Sequence, residues 1–411
     1  MKPINLSRRS LLTTTGGAIG LASVGALGAL TPAAKALADT AKATNDTAKL
    51  LPEYAKWKNA DSLIIHSANT METKRSAFGS GVITPLDRLF VRNNITPPSE
   101  DIVADPDAWE LQIEGVKEPT TISVAELKTL GITSVAMVLQ CSGNGRAYFP
   151  SNPSGTQWSV GAAGCVVFTG IPVKDVLAHV GGMDSDAKYM TGTGGEPIPD
   201  GLDPNMIQVE RSVPLEAVEN ALLAWEINGE PIPLAHGGPL RMVVPGYTGV
   251  NNIKYVKRLA FTEEQSSANI QQSSYRLAPL GEKGDATAHA SAWEMPVKSW
   301  VTYPGSEEDK IKAGKVQIQG LAMGGTSEVT AIEVSTDGGK NWQKAEFIGP
   351  DLGPFAWRQF VLSTDLKAGT YDITSRATNK AGDTQPKERM ENNRGYLNNS
   401  WDDHKLTITV V

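Results

Sequence analysis

Beyond residue 85, few apolar stretches of this chain run far before a glycine or proline interrupts them. A chain punctuated this way folds as short strands joined by turns, not as a bundle of long helices. The 40 glycines and 25 prolines among 411 residues supply those turns throughout. Between about 85 and 290 the strands are mixed with short helices. Trp109-Glu-Leu-Gln-Ile113 alternates as a half-buried strand, and Ser134-Val-Ala-Met-Val-Leu139 reads as a buried one that runs into Cys141. Ser123-Val-Ala-Glu126 has the spacing of a capping box. A second helix is predicted over 172–179, with Pro172 in its first turn and Gly181-Gly182 ending it. This texture predicts an α+β domain over 85–290.

From about residue 291 to 411 the pattern is purely β. Lys315-Val-Gln-Ile-Gln319, Ala331-Ile-Glu-Val-Ser335, Trp357-Arg-Gln-Phe-Val-Leu362 and the segments 370–376 and 405–411 all have strand composition. Asp337-Gly338-Gly339 marks a hairpin between two of them. About seven short strands in this span predict an immunoglobulin-like sandwich. Its inter-sheet disulfide is excluded, because the two cysteines, Cys141 and Cys165, lie outside it.

Two cysteines also exclude a disulfide framework, a four-cysteine zinc site and a cysteine-held iron–sulfur cluster. No Cys-x-x-Cys-His is present, so no haem is expected in this chain. No apolar run after the first 40 residues approaches the roughly 20 needed to cross a bilayer. With 38 basic and 45 acidic residues and a formal charge of −7, nucleic acid is not an expected partner.

The first 38 residues are predicted to be an export leader. Ser7-Arg8-Arg9 precedes a small-residue apolar stretch, and Ala36-Leu37-Ala38 forms a cleavage site before Asp39. Adjacent arginines ahead of a weakly apolar core indicate the twin-arginine type and hence a periplasmic location. That route resembles one for proteins exported already folded, often with a cofactor in place. Residues 39–84 are polar and are expected to form an extended arm over the surface.

The segment richest in chemistry is Gln140-Cys141-Ser-Gly-Asn-Gly145-Arg146. A buried strand delivers a thiol into a loop whose glycines permit close approach, with a fixed cation beside it. A thiol next to a cation is a nucleophile or a soft metal ligand, and a buried cysteine beside a turn is the plain alternative. Among the histidines, His66, His179, His289 and His404 read as structural. His236 lies in Leu234-Ala-His236-Gly-Gly-Pro-Leu-Arg241, where a ring, a guanidinium and two glycines suit an anionic heteroaromatic ligand or simply start a strand. Cys165 reads as core.

Taken together, four separated motifs resemble the sulfite oxidase family of molybdenum enzymes, which includes bacterial sulfite dehydrogenases. They are Phe90-Val-Arg92-Asn93-Asn94; Cys141-Ser-Gly-Asn-Gly-Arg146; Trp158-Ser-Val-Gly161-Ala162 with Gly170-Ile-Pro-Val-Lys-Asp-Val-Leu177; and Leu223-Ala-Trp-Glu-Ile-Asn228 running on to His236 and Arg241. Gly249-Val-Asn-Asn-Ile-Lys254-Tyr continues the similarity, and the sandwich with Asn393-Arg394-Gly395 resembles that family's C-terminal dimerisation domain.

The resemblance implies molybdenum with one molybdopterin, ligated by the Cys141 thiolate. Asn93, Asn94, His236, Arg241 and Lys254 would bind the cofactor. Arg92, Arg146, Trp158, Tyr275 and Arg394 would surround the substrate, three arginines suiting a dianionic tetrahedral oxyanion such as sulfite. Tyr275 would hydrogen-bond substrate oxygen or pass a proton. Two departures lower the local charge: Asn94 stands where the family commonly has histidine, and Gly145 where it has a second basic residue. The implied activity is sulfite oxidation to sulfate by oxygen-atom transfer at molybdenum. Electrons would pass singly to an external c-type cytochrome, and the enzyme would be a homodimer. The alternatives are a sulfane dehydrogenase of a thiosulfate-oxidising complex, a reductase of nitrate or sulfoxides, and a cofactor-free periplasmic binding protein on the same fold.

Overall fold

In the computed structural model, which describes residues 51–79, 81–306 and 309–411, local signals and long-range packing agree over most of the chain. The predicted leader and the start of the 39–84 arm lie outside the described residues. Ser123 accepts from the Glu126 amide while Glu126 reaches back to the Ser123 backbone, so the expected capping box opens the helix Val124–Leu130. The second helix, Val173–His179, follows directly on the strand Ala163–Pro172, and the Gly182 amide caps it by donating to the Leu177 carbonyl.

Two five-stranded sheets share one core with these helices. In the first, Thr133–Gln140 pairs antiparallel with Ala163–Pro172, from Thr133 opposite Gly170 to Gln140 opposite Ala163. Ala163–Pro172 then pairs with Leu222–Ile227, which also carries Glu230–Pro231 and Arg241–Val243. A Cβ at Gly170 would lie 2.1 Å from the Leu223 carbonyl oxygen, so the close strand approach there requires glycine. The second sheet runs Thr120–Ser123, Glu110–Glu114, Val256–Thr262, Tyr189–Gly194, Glu210–Pro214. Its Glu110–Glu114/Val256–Thr262 pair is parallel, and the chain between those two strands builds the first sheet. Leu111, Leu127, Val176, Leu223 and Leu259 meet in the common core. Each such side chain contributes roughly 1.5–3 kcal/mol by leaving water.

The sandwich has two four-stranded sheets. One runs Lys298–Tyr303, Gly314–Met323, Arg358–Leu366, Glu346–Ile348; the other runs Gln343–Lys344, Val329–Ser335, Gly369–Asn379, Leu406–Val410. Inward residues such as Ile318, Ile332, Val334, Phe360 and Ile373 fill the space between them. The Asp337 carboxylate organises the hairpin loop by accepting from the amides of Lys340 and Asn341, the Asn341 side chain and the Ser335 hydroxyl.

This second layer is also fastened to the first. Val138 donates to the Phe355 carbonyl and the Trp357 indole to the Val82 carbonyl, at 2.8 and 2.7 Å. Trp300 and Trp357 pack in one cluster with Val138, Val160 and Cys165. The loop between the last two long strands folds back so that Leu397 donates to the Ser142 carbonyl and the Asn398 side chain to the Gly145 carbonyl.

The arm is not the extended surface segment its polar composition suggested. Leu63–Ser67, Thr70–Thr73 and Val91–Arg92 form a three-stranded sheet, and Met71, Glu72 and Thr73 are buried. Its polar groups are satisfied inside the protein. Glu72 accepts from the amides of Ser159 and Gly161, both at 2.9 Å, from the Ser159 hydroxyl, and contacts His66 Nε2 at 2.8 Å. Glu72→Ala leaves those buried donors without partners and should lower stability by about 3 kcal/mol. Thermal unfolding of the variant against the unmodified chain checks this.

Candidate active site

The strand Thr133–Gln140 ends where the backbone must turn, and Cys141 sits at that turn. Its amide donates to Ala162 and its carbonyl accepts from Asn144, each at 2.9 Å. The Asn144 side chain ties the turn to both strands, donating to Gln140 Oε1 and accepting from the Ala162 amide. Cys141 is thus held rigidly, and it lines a cavity with about 640 Å³ of empty space. Cys165, in contrast, is core as expected, its thiol pushed up to about 12 by burial.

Phe90, Arg92, Asn93, Asn94, His236, Arg241, Lys254 and Tyr275 line the same cavity. Among them His236, Arg241 and Lys254 form a basic cradle, the first two buried and Lys254 half-buried. Arg241 donates to the His236 carbonyl at 2.7 Å and the Asn252 carbonyl at 3.2 Å, while its Nε, also buried, has no partner. Lys254 donates to Asn93 Oδ1 and the Ala235 carbonyl. Gly237, in the left-handed region, lets the Lys254 side chain pack where a Cβ would come within 2.6 Å.

Two contributors to this cradle escaped the sequence reading. Lys58, from the arm, bonds the carbonyls of Leu86 and Leu89 and meets His236 Nε2 at 2.9 Å. Glu196 lines the cavity with its buried Oε2 unpartnered. Burial, ahead of the pull of Lys254, pushes Glu196 up to about 7. Burial, then the neighbouring cations Lys58, Lys254 and Arg241, holds the His236 ring well below its ordinary value. Lys254 is likewise lowered, first by burial and then by Arg241. Several cations, an orphaned guanidinium N–H and no fully charged carboxylate leave excess positive charge. That donor set fits the anionic tail of a pterin cofactor, and the Cys141 thiol lining the same cavity fits a soft metal.

A second recess, which shares Arg92, Asn94 and Tyr275 with this cavity, is also lined by Arg394 and Tyr396. Asn94 Oδ1 accepts both from Arg92 Nη2 at 2.7 Å and from the Tyr275 hydroxyl at 3.2 Å. Arg92 also donates to the Asn93 carbonyl. Tyr275 is held in the left-handed region at φ 54°, stacked on Tyr396 with ring centroids 5.2 Å apart. Beneath it the fully buried Arg211 guanidinium stands 5.5 Å from its ring. Asn252 and Tyr396 lay within or next to motifs visible in the sequence; nothing local marked Lys58, Glu196 or Arg211.

Two expected substrate residues are placed elsewhere. Arg146 lines neither recess: it is buried, donating to the carbonyls of Arg394 and Thr156, both at 2.8 Å. Its guanidinium fills the space above Gly143, where a Cβ would lie 2.3 Å away, so that glycine makes room for Arg146 itself. Of the three arginines expected to converge, Arg92 and Arg394 share a recess and Arg146 braces the second of them. Trp158 is fully buried in the cluster that contains Cys141, edge-on to His66, with its indole N–H unpartnered. Its large apolar surface is satisfied by that packing, which keeps it off the cavity wall.

Residues 97–270 match the oxidoreductase molybdopterin binding domain, and 289–411 the Mo-co oxidoreductase dimerisation domain. The mitochondrial sulfite oxidase of Homo sapiens is 32% identical over 80% of this chain, which spans 62% of that protein's length. The sulfite oxidase of Arabidopsis thaliana is 30% identical, covering 82% of this chain and 91% of its own. Among solved structures, the sulfane dehydrogenase SoxCD from Paracoccus pantotrophus superposes with a TM-score of 0.69 at 25% identity, over 90% of this chain and 92% of the other.

The cradle has a measurable consequence. Burial lowers Lys58 to about 7, Asp87 offsetting part of the effect, whereas an unfolded lysine holds its proton to about 10.4. Between these values the unfolded chain binds more protons, so stability rises with pH over that window. Lys58 should account for about 2 kcal/mol of the gain from pH 7 to pH 9 in protein free of bound anion. Denaturant titrations at the two pH values, with Lys58→Met removing that share, check it.

Proposed function

This chain belongs to the sulfite oxidase family of molybdopterin oxidoreductases, and we propose that it oxidises sulfite to sulfate. The observation that carries the reading is one cavity lined by the Cys141 thiol, by Arg92 and Tyr275 and by the basic residues His236, Arg241 and Lys254, with Arg92 and Tyr275 shared with a second recess that Arg394 lines.

Cys141 would ligate molybdenum, and His236, Arg241 and Lys254, with Asn93 fixing the lysine, would hold one molybdopterin through its anionic groups. The bound group supplies a two-electron redox centre competent for oxygen-atom transfer. The chain's own residues do the rest. Arg92 and Arg394 offer guanidinium forks to the oxygens of a doubly charged anion and draw it out of water. The Tyr275 hydroxyl, held by Asn94, donates to substrate oxygen and keeps a proton beside it. Arg146 keeps the Arg394 backbone in place, and Trp158 packs behind the Cys141 turn.

The leader supports export to the periplasm by the twin-arginine route, and the absence of a Cys-x-x-Cys-His motif supports electron transfer to a separate c-type cytochrome. The dimerisation domain supports a homodimer. Sulfane oxidation is the second reading, favoured by the likeness to SoxCD over nearly the whole chain.

Metal analysis of exported protein, together with sulfite-dependent reduction of ferricyanide and cytochrome c, tests the proposal. About one molybdenum per chain and turnover that Cys141→Ser abolishes are the expected results. Molybdenum without sulfite turnover moves the assignment to sulfane, and protein that never holds molybdenum sinks it. Arg92→Gln and Arg394→Gln each remove a charge-assisted contact of roughly 1.5–3 kcal/mol. Each should therefore weaken kcat/KM for sulfite by roughly 10–100-fold, read from steady-state kinetics.

A further inference from the structure

Lys298 opens the first strand of the sandwich, yet its side chain is completely buried beneath the Cys141 turn. Its ammonium donates to the Asn144 carbonyl at 3.1 Å and lies 6.0 Å from the Trp300 ring. It has no ion-pair partner among the described residues. The carboxylate in its surroundings, Asp403, is already engaged by Arg389 and by the Asn398 side chain. Arg75 adds like charge nearby, and His404 is kept neutral, first by burial and then by Lys298 and Arg75. A buried ammonium costs several kcal/mol unless negative charge reaches it, and burial, partly offset by Asp403, brings Lys298 down to about 7, so its charge here depends on a negative partner. The remaining group of negative sign within its electrostatic reach is the Cys141 sulfur.

The contact is well chosen for transmission. Asn144 is the residue that fixes the turn, through the Cys141 carbonyl, Gln140 and Ala162. By grasping the Asn144 carbonyl, the sandwich holds the thiol from behind.

We propose that Lys298 is a positioning residue of the active site, anchoring the Cys141 turn and placing a positive charge near the thiolate that raises the reduction potential of the bound metal. The physical basis is Coulombic: adding electrons makes the centre more negative, and a desolvated cation close by favours that state. The inference rests on the reading above, in which Cys141 holds molybdenum.

Holoenzyme carrying Lys298→Gln, which keeps a donor for the Asn144 carbonyl but no charge, separates anchoring from electrostatics. Potentiometric titration followed by the electron paramagnetic resonance of one-electron-reduced molybdenum should show a shift to lower potential, with metal content per chain unchanged. Lys298→Arg should keep the unmodified value. Should Lys298→Gln fail to fold, Lys298→Met, which matches the lysine stem, gives the same reading. A Lys298→Gln potential equal to that of the unmodified enzyme overturns the inference alone. Unmodified protein lacking molybdenum overturns the family reading and this inference with it.

Discussion

Taking an ammonium or guanidinium group out of water costs several kcal/mol even after the protein relaxes, and this chain does so repeatedly around one cavity. Lys58, Arg241 and Lys298 are buried and Lys254 is half-buried, in a protein whose overall charge is negative. They are held mainly by backbone carbonyls, which satisfy N–H donors without cancelling charge. Burial lowers the three lysines, so an anion entering the cavity meets groups already desolvated and favours their protonated forms. The cost is met by the rest of the fold, which explains why the core extends through both layers and why the arm is folded in to supply Lys58.

Rigidity at the thiol follows from the same architecture. The Cys141 turn is gripped by its own strand pair, by Asn144, and by the sandwich through Lys298, Leu397 and Asn398. A metal ligand delivered on a free loop would reorganise with each change of metal charge. One fixed by three separate elements keeps its geometry, which is the condition for fast electron loss and gain at a single centre. The sandwich is accordingly part of the site and not merely an appended module.

Much of this was legible in the residues. Strand texture, the Ser123–Glu126 capping box and the sandwich all rest on local periodicity and turn chemistry, which fold as they read. Cys141, His236 and Arg241 stood in motifs whose glycines and cations suited a ligand, Lys254 and Tyr275 came from the family resemblance, and the structure brings all five to one cavity. Arg146 misled because the glycine beside it signalled close approach without saying by what; the approaching group is the arginine itself. Trp158 misled because an aromatic within a motif can serve the site by packing beneath it. Lys58, Glu196 and Lys298 were invisible, since a lone charged residue reads as solvated surface until tertiary contacts bury it. The polar arm failed for that reason too: Glu72 looks like a surface residue, and it is its four hydrogen-bonding contacts that let it be buried.

Asn94 shows how a departure from the family's residue pattern acquires a physical meaning. Its side-chain oxygen accepts from Arg92 and from Tyr275 together, joining two groups that line the same recess. An imidazole at that position offers one acceptor nitrogen when neutral and none when protonated. Protonation would then push it against the Arg92 guanidinium. A carboxamide keeps its acceptor at every pH, so the Arg92–Tyr275 geometry is decoupled from titration. What is given up is a proton carrier, and the nearest group able to serve is the Tyr275 hydroxyl itself. The burden of handling a proton at this recess thus falls on Tyr275, held between Asn94, the Tyr396 ring and the buried Arg211 charge.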